Sequence, residues 1–295
     1  MGGDGHPPIC DYEGSSYRTD FWVGQGREYE DGAERVALRR LLPPTGRRLL
    51  EIGAGFGRLA DLYAGYERVI LLDYSRSQLE YARSRLGDER FIYVAADLYR
   101  LPLAANAVDT AVMVRVLHHL TDVPLALGHI ARALRPQGAF ILEFANKRHL
   151  KNIARYLLRR GANPFTREPY EFTELHYDFH PAWVRERLLD AGLRPQRRLS
   201  VSLLRAGVLK RAVGADLLVA IDGAFQRITA PLTPGASVFV RSVAERAGDP
   251  ALVDEERLFC CPACGDTPLS RVAEGHRCVG CGAHWPIVNG VHVFK

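Results

Sequence analysis

Between residues 48 and 144 short apolar runs alternate with helical patterns, and nothing else in the chain narrows its fold so far. Runs at 48–52, 68–72, 91–95, 108–114 and 139–144 read as strands, with helical spacing at 33–42, 59–63, 76–86 and 123–134. Several of these runs are apolar on both faces. Such strands must be covered on each side, and the cover at hand is the helices that alternate with them. The expectation is a doubly wound, mostly parallel α/β sheet. With 295 residues and about 150 per domain, a second, smaller unit is expected beside it.

Glu51-Ile-Gly53-Ala-Gly55-Phe-Gly57-Arg58 leaves the first strand and opens the next helix. Glycines there let the backbone turn sharply and approach a ligand where a Cβ would collide. Asp73 ends the second strand, where an acid can accept both hydroxyls of a ribose. Asp97 follows the third strand, placed to accept from an adenine amino group, and Glu51 precedes the first glycine, where a ligand's ammonium could lie. All three acids stand at strand C-terminal ends, the rim at which open α/β sheets bind ligands. The plainer reading, acids that merely cap helices, does not account for their joint placement. Arg58 occupies the place of the third glycine of a dinucleotide loop, so a pyrophosphate is disfavoured and a positively charged ligand fits better.

LLEIGAGFGRLA, LLDYS, AADLYRLPL, VDTAVMVRVLHHL and LRPQGAFILEF, in that order, resemble the successive motifs of class I S-adenosylmethionine-dependent methyltransferases. The resemblance implies a seven-stranded sheet whose last strand, at 237–241, runs antiparallel. It implies that Gly53, Gly55 and Gly57 line the methionine part of the cofactor, with Glu51 at its polar end. Asp73 would hold the ribose with Tyr74 beside it, Asp97 and Leu98 the adenine, and Val114 and Arg115 would close the cofactor side after the fourth strand.

Methyl transfer from a sulfonium is an in-line displacement that depends on positioning and desolvation. A hydroxyl acceptor needs a base; a nitrogen acceptor need not have one. His118 and His119 follow the fourth strand on the same rim, and imidazoles titrate near neutrality. His176 lies in a second candidate stretch, Tyr170 to His180, within what reads as a polar, aromatic loop at 161–180. The plainer alternatives are packed or capping histidines and a solvated loop anchored by a few rings.

Beyond this loop a helix is expected at 181–191 and strands at 198–203 and 237–241. The segment 145–211 holds 15 Lys+Arg against 6 Asp+Glu. Within it the helix 148–160 sets Leu150, Ile153, Ala154, Leu157 and Leu158 on one side and basic residues on the other. Such a helix could touch RNA phosphates or an anionic membrane surface. The expectation is that it docks its apolar face on the sheet and leaves its charges in water.

Cys261-Pro-Ala-Cys264 and Cys278-Val-Gly-Cys281 are two Cys-x-x-Cys knuckles, and four thiolates at this spacing match a closed tetrahedral zinc site. A closed site is structural rather than catalytic. Cys10 and Cys260 read as bystanders. The tail from the last knuckle through His284-Trp285-Pro286-Ile287-Val288 resembles a zinc ribbon found free-standing as the activating partner of some tRNA and release-factor methyltransferases. The resemblance implies an activator supplied in cis. Acids outnumber bases by one from Asp254 to Lys295, which favours a docking or stabilising module over a nucleic-acid grip.

Residues 1–30 are thus expected to form an arm, 31–245 a methyltransferase domain with a substrate-recognition insert at about 147–236, and 257–295 a four-cysteine zinc ribbon. The opening residues lack the basic and apolar regions of a secretory signal, and no apolar stretch approaches the ~18 residues of a membrane span, so a cytoplasmic protein is expected. The favoured acceptor is a small or lipid-like molecule. RNA or a translation protein is the alternative, lowered because Val114-Arg115-Val116-Leu117 stands where many amino-group methyltransferases carry an Asn-Pro-Pro-Tyr-type motif. A silent scaffold is the third reading. The pattern specifies no oligomeric state.

Overall fold

The computed structural model describes residues 7–14 and 25–295; of the expected arm, residues 1–6 and 15–24 lie outside the described residues. Helix α1 (Glu28–Leu41) leads into β1 (Gly46–Ile52), β2 (Tyr66–Asp73), α2 (Arg76–Leu86), β3 (Phe91–Ala96), β4 (Val108–Met113), α3 (Val123–Ala133) and β5 (Leu134–Ala145). Between β1 and β2 the expected helix is a short 3-10 helix, Ala60–Tyr63. Next come α4 (Leu150–Leu157), β6 (Tyr170–Thr173), β7 (His176–Asp178), α5 (Pro181–Asp190), β8 (Leu193–Val201), α6 (Gly207–Ala212), α7 (Ala215–Phe225) and β9 (Ser237–Ala244). The chain closes with β10 (Ser270–Val272), β11 (Gly275–Arg277), β12 (His284–Val288) and β13 (Val291–Phe294).

The main sheet has eleven strands, not the seven expected, in the order β10-β11-β12-β13-β3-β2-β1-β4-β5-β9-β8. The stretch from β3 to β8 contains the expected seven, and β9 runs antiparallel to both neighbours. The other four come from the cysteine-rich tail. Its last strand pairs in parallel with β3, Val291 opposite Tyr93 and Phe294 opposite Ala96. An unpaired β3 would be an open edge, and β13 covers it.

Alternating side chains on the central strands feed two cores. Leu50, Ile70, Val94 and Phe140 enter one, while Leu49, Val69, Tyr93 and Ile141 enter the other. Helix starts are set locally: Ser75 Oγ accepts from the Gln78 N–H at 3.4 Å, and the Asp122 carboxylate accepts from the Leu125 N–H at 3.0 Å. Such caps contribute about 1 kcal/mol each.

Two expectations beyond β5 are corrected. The segment 161–180 is not all loop, because Tyr170–Thr173 and His176–Asp178 pair as an antiparallel hairpin. The basic helix ends at Leu157 rather than Arg160, and it does not dock its apolar face: none of its residues is buried, and Leu157 is 73% exposed. Pro234 O binds the Leu150 N–H, and the Asn152 amide reaches Lys147 O and Asp178, so polar contacts anchor the helix in place of apolar packing.

Candidate active site

The C-terminal ends of β1, β2, β3 and β4 open on one cavity, enclosing about 830 Å³ of empty space where its open mouth is counted. Gly53, Gly55, Asp73, Tyr74, Asp97, Leu98, Arg115 and His119 line it together. Asp73 Oδ2 accepts from the Gly55 N–H at 2.7 Å and Oδ1 from the Ser75 N–H at 2.8 Å. Burial pushes its carboxyl up, and the two amide donors oppose that. Asp97 accepts from the Tyr99 N–H at 2.9 Å and caps a short 3-10 turn. The capping reading and the pocket reading therefore hold at once: the same hydrogen bonds that finish the turns aim these acids at the cavity.

A smaller recess of about 370 Å³ adjoins the cavity across the glycine loop, sharing Gly53, Gly55 and Arg115 with it and adding Glu51, Arg58 and Val114. Gly57, the third glycine, lines neither space; with φ of 72° it closes the turn under Leu86. Gly55 has φ of 51° and would point an added Cβ into open space, so a ligand could approach its backbone closely. Glu51 is 4% exposed, and its Oε2 has no hydrogen-bond partner. Burial raises its pKa to about 8, against the pull of Arg58. A buried carboxylate oxygen without a donor, facing a recess, fits the positively charged end of a ligand.

Arg58 and Arg115 are held at that recess by α1. The fully buried Glu34 carboxylate takes both guanidiniums, Arg58 at 2.8 Å and Arg115 Nε at 2.8 Å, and Asp31 takes Arg58 as well. Arg115 sits at φ 60°, a left-handed conformation that costs a non-glycine residue on the order of 1 kcal/mol. Its N–H donates to Glu143 at 2.8 Å, and that bond together with the Glu34 grip fixes the strained turn.

The three histidines converge. Ring centroids of His118 and His119 lie 4.0 Å apart, His119 and His176 4.6 Å, and His118 and His176 6.0 Å. His119 Nδ1 lies 3.0 Å from the Leu175 carbonyl on the β6–β7 turn. A carbonyl only accepts, so Nδ1 carries the proton and Nε2 the lone pair. Nε2 lies 3.4 Å from the Tyr12 hydroxyl. Burial holds both His118 and His119 below the usual imidazole range, with a neighbouring histidine pushing each the same way. His118 and His176 stand behind His119 and do not line the cavity.

Sequence reading missed the contribution of the N-terminal arm. Pro8, Ile9, Cys10 and Tyr12 form one wall of the cavity, so Cys10, expected to be a bystander, is a lining residue. That segment has no periodicity, and nothing in it signalled a wall. The Glu34 hub was missed too, since a glutamate among the charged residues of α1 reads as a solvated side chain.

In the tail, the Sγ atoms of Cys261, Cys264, Cys278 and Cys281 lie within 4.8 Å of one another, with Cys261–Cys281 at 3.7 Å and Cys264–Cys278 at 3.5 Å. Tetrahedral thiolates about 2.3 Å from a zinc ion would be separated by nearly this much. Cys260 points elsewhere, with its Sγ 3.2 Å from Leu103 O.

Residues 50–142 match a family model described as a methyltransferase domain. A protein of Mycolicibacterium smegmatis named as an S-adenosylmethionine-dependent methyltransferase is 37% identical over 129 residues, 43% of this chain and 47% of the relative. The demethylmenaquinone methyltransferase of Chlamydia pneumoniae is 32% identical over 127 residues, 41% of this chain and 55% of the relative. This chain thus spans about half the length of the curated relatives it matches. Among solved structures, one chain of the Haloferax volcanii complex between the Trm112 methyltransferase activator and a methyltransferase superposes with a TM-score of 0.52. That match has 20% identity and covers 79% of this chain and 98% of the other. Over residues 50–142 the chain is thus similar to methyltransferase domains, and its fold is shared with the solved complex chain.

Proposed function

We propose that this chain moves a methyl group from S-adenosylmethionine to a small or lipid-like acceptor held beside His119. The observation that carries the reading is the buried, unpaired Oε2 of Glu51 in a recess that adjoins the cavity where the ring of His119 is turned by the Leu175 carbonyl. Bound there, S-adenosylmethionine supplies an electrophilic methyl group whose sulfur departs as a neutral thioether.

The protein's part is binding, orientation and proton handling. Glu51, once ionised, gives Oε2 to an ammonium, while Arg58 and Arg115 suit a carboxylate. The remaining lone pairs of Asp73 take ribose hydroxyls, and Asp97 with Leu98 and Tyr74 frames the base. Ile9, Leu72, Val116 and Leu120 keep the cavity wall apolar and lower the water content around the reacting centre. His119 Nε2 takes the proton from a hydroxyl acceptor, and Leu175 keeps the ring turned for it. An amine acceptor would bypass that step.

In the tail we assign the four cysteines to one structural zinc ion, in a ribbon at 257–295 that serves the domain in cis as a stabilising or activating module. Four thiolates used as ligands suit a reducing, cytoplasmic compartment. Among the described residues no helix is long and apolar enough to cross a membrane.

Incubation with S-adenosylmethionine labelled on its methyl group, alongside cell extract split into lipid, small-molecule, RNA and protein fractions, tests the reading. Label is expected in the lipid or small-molecule fraction. Label confined to RNA or a translation protein would favour the alternative acceptor class, and no transfer despite cofactor binding would favour a scaffold.

A further inference from the structure

Helix α4 is amphipathic the wrong way round for water. Leu150, Leu157 and Leu158 stand 59%, 73% and 66% exposed, and among the described residues the one side chain of the helix with hydrogen bonds to the body is the polar Asn152. The apolar surface extends past the helix in both directions. The bond from the Leu150 N–H to Pro234 O sets the 230–234 segment beside it, where Leu232 is 77% exposed. On the other side Tyr156 meets Phe165 at 6.0 Å, and exposed Phe172 follows on β6.

Cations border this surface. Lys151, Arg155 and Arg160 line a cavity of about 1040 Å³ between α4 and β6, which Tyr170 and Phe172 wall on the far side. Asp178 is the one acid on that lining among the described residues, and Asn152 holds it at 3.3 Å. Lys147 is turned inward and fully bonded, donating to Thr166 and to Glu168 O. Lys151, Arg155, Arg159 and Arg160 make no ion pair among the described residues.

Resting on the methyl-transfer reading above, we infer that α4, the 161–172 segment and Leu232 dock on an anionic phospholipid bilayer, with headgroup phosphate entering the cationic cavity. Leucines and phenylalanines would enter the headgroup–acyl boundary, while cations beside them meet the phosphates. An RNA site would turn its cations outward and bury its leucines, whereas here the leucines stand exposed beside the exposed cations. The surface is coupled to the acceptor end of the site: Phe172 lies 5.9 Å from His176, and the turn of the same hairpin carries the Leu175 carbonyl that holds His119. A lipid-like acceptor would thus reach His119 from the membrane plane.

Flotation of the full chain with vesicles tests this, using pure phosphatidylcholine and an equimolar mixture with phosphatidylglycerol. The protein is expected to float with the anionic vesicles and weakly, if at all, with the neutral ones. The paired change Leu157→Ser and Leu158→Ser should cut binding more than tenfold, from the loss of two buried apolar side chains. Arg155→Gln and Arg160→Gln should each cut it roughly fivefold, on anionic vesicles only. S-adenosylmethionine affinity, read by calorimetry, should stay unchanged in all of these variants.

Absence of flotation with both vesicles would overturn the inference. So would Arg-dependent, salt-steep binding to RNA in place of vesicles, or self-association in solution that the leucine changes abolish. Flotation needs neither cofactor nor acceptor, so a failure of the methyl-transfer reading leaves its result intact.

Discussion

On the proposed reading, Glu51 is the residue at which folding and ligand binding oppose each other. Its carboxyl is expected to be protonated in the empty protein at neutral pH, with a pKa of about 8 against an ordinary 4.5. The folded state therefore binds more protons than the unfolded one between those values, and stability falls there by up to about 1.4 kcal/mol per pH unit as pH rises. Glu51→Gln should relieve that loss, raising the melting temperature at pH 8.5 while leaving it nearly unchanged at pH 4. The same change should weaken S-adenosylmethionine and flatten a wild-type affinity that otherwise climbs with pH up to about 8. A pH-independent wild-type affinity would remove Glu51 from the polar end. At the other end, His119→Ala should lower turnover on a hydroxyl acceptor by about 100-fold, and on an amine far less. With its pKa held below the usual range, the wild-type base should stay active somewhat below pH 6.5, the ordinary imidazole value. Steady-state rates against pH would show both effects. At this scale the convergence of Gly53, Gly55, Asp73 and Asp97 on one cavity was legible in the sequence because a turn at a strand end demands those residue types, while Gly57, expected with them, lines neither space. Tyr12, Leu175 and Glu34 were not legible, since their roles depend on distant partners: His119 for the first two, Arg58 and Arg115 for the third.

Parallel strands such as β1 and β2 are buried on both faces, and an uninterrupted apolar run is a signal that survives reading in one dimension. The β6–β7 hairpin left no such signal, because its first strand is four residues long and wholly exposed. The four extra strands were missed for another reason. A Val-His-Val-Phe stretch reads as a strand, but its pairing with β3 joins segments almost 200 residues apart, and register of that kind is written in shape rather than in local pattern. The pairing makes Phe294 a core residue at 2% exposure, packed against Phe259 at 5.1 Å and Trp285 at 6.0 Å. Phe294→Ala should cost about 3 kcal/mol or more, seen as a lower urea midpoint. Loss of less than about 1 kcal/mol would mean that β13 contributes little to the sheet.

In the whole molecule the tail and the ligand cavity are joined through that strand. β13 runs beside β3, whose end leads to Asp97, and Lys295 lies 3.9 Å over the ring of Tyr74, a cavity residue. Metal analysis of the purified chain should find about one zinc per molecule. Cys264→Ser should lose it, lower the melting temperature and weaken S-adenosylmethionine severalfold, while Cys260→Ser should keep the metal. Normal cofactor affinity in the zinc-free variant would uncouple the tail from the site. The most direct test of the account is titration calorimetry of the full chain with S-adenosylmethionine, in the wild type and in Asp73→Ala. One site per chain is expected, with the variant weaker by about 2–4 kcal/mol for the lost charge-assisted hydrogen bonds. A thermal melt would separate that loss from the loosening of the Gly55 and Ser75 amides. No binding by the wild type, or equal affinity in a folded Asp73→Ala, would contradict the assignment of this cavity to the cofactor.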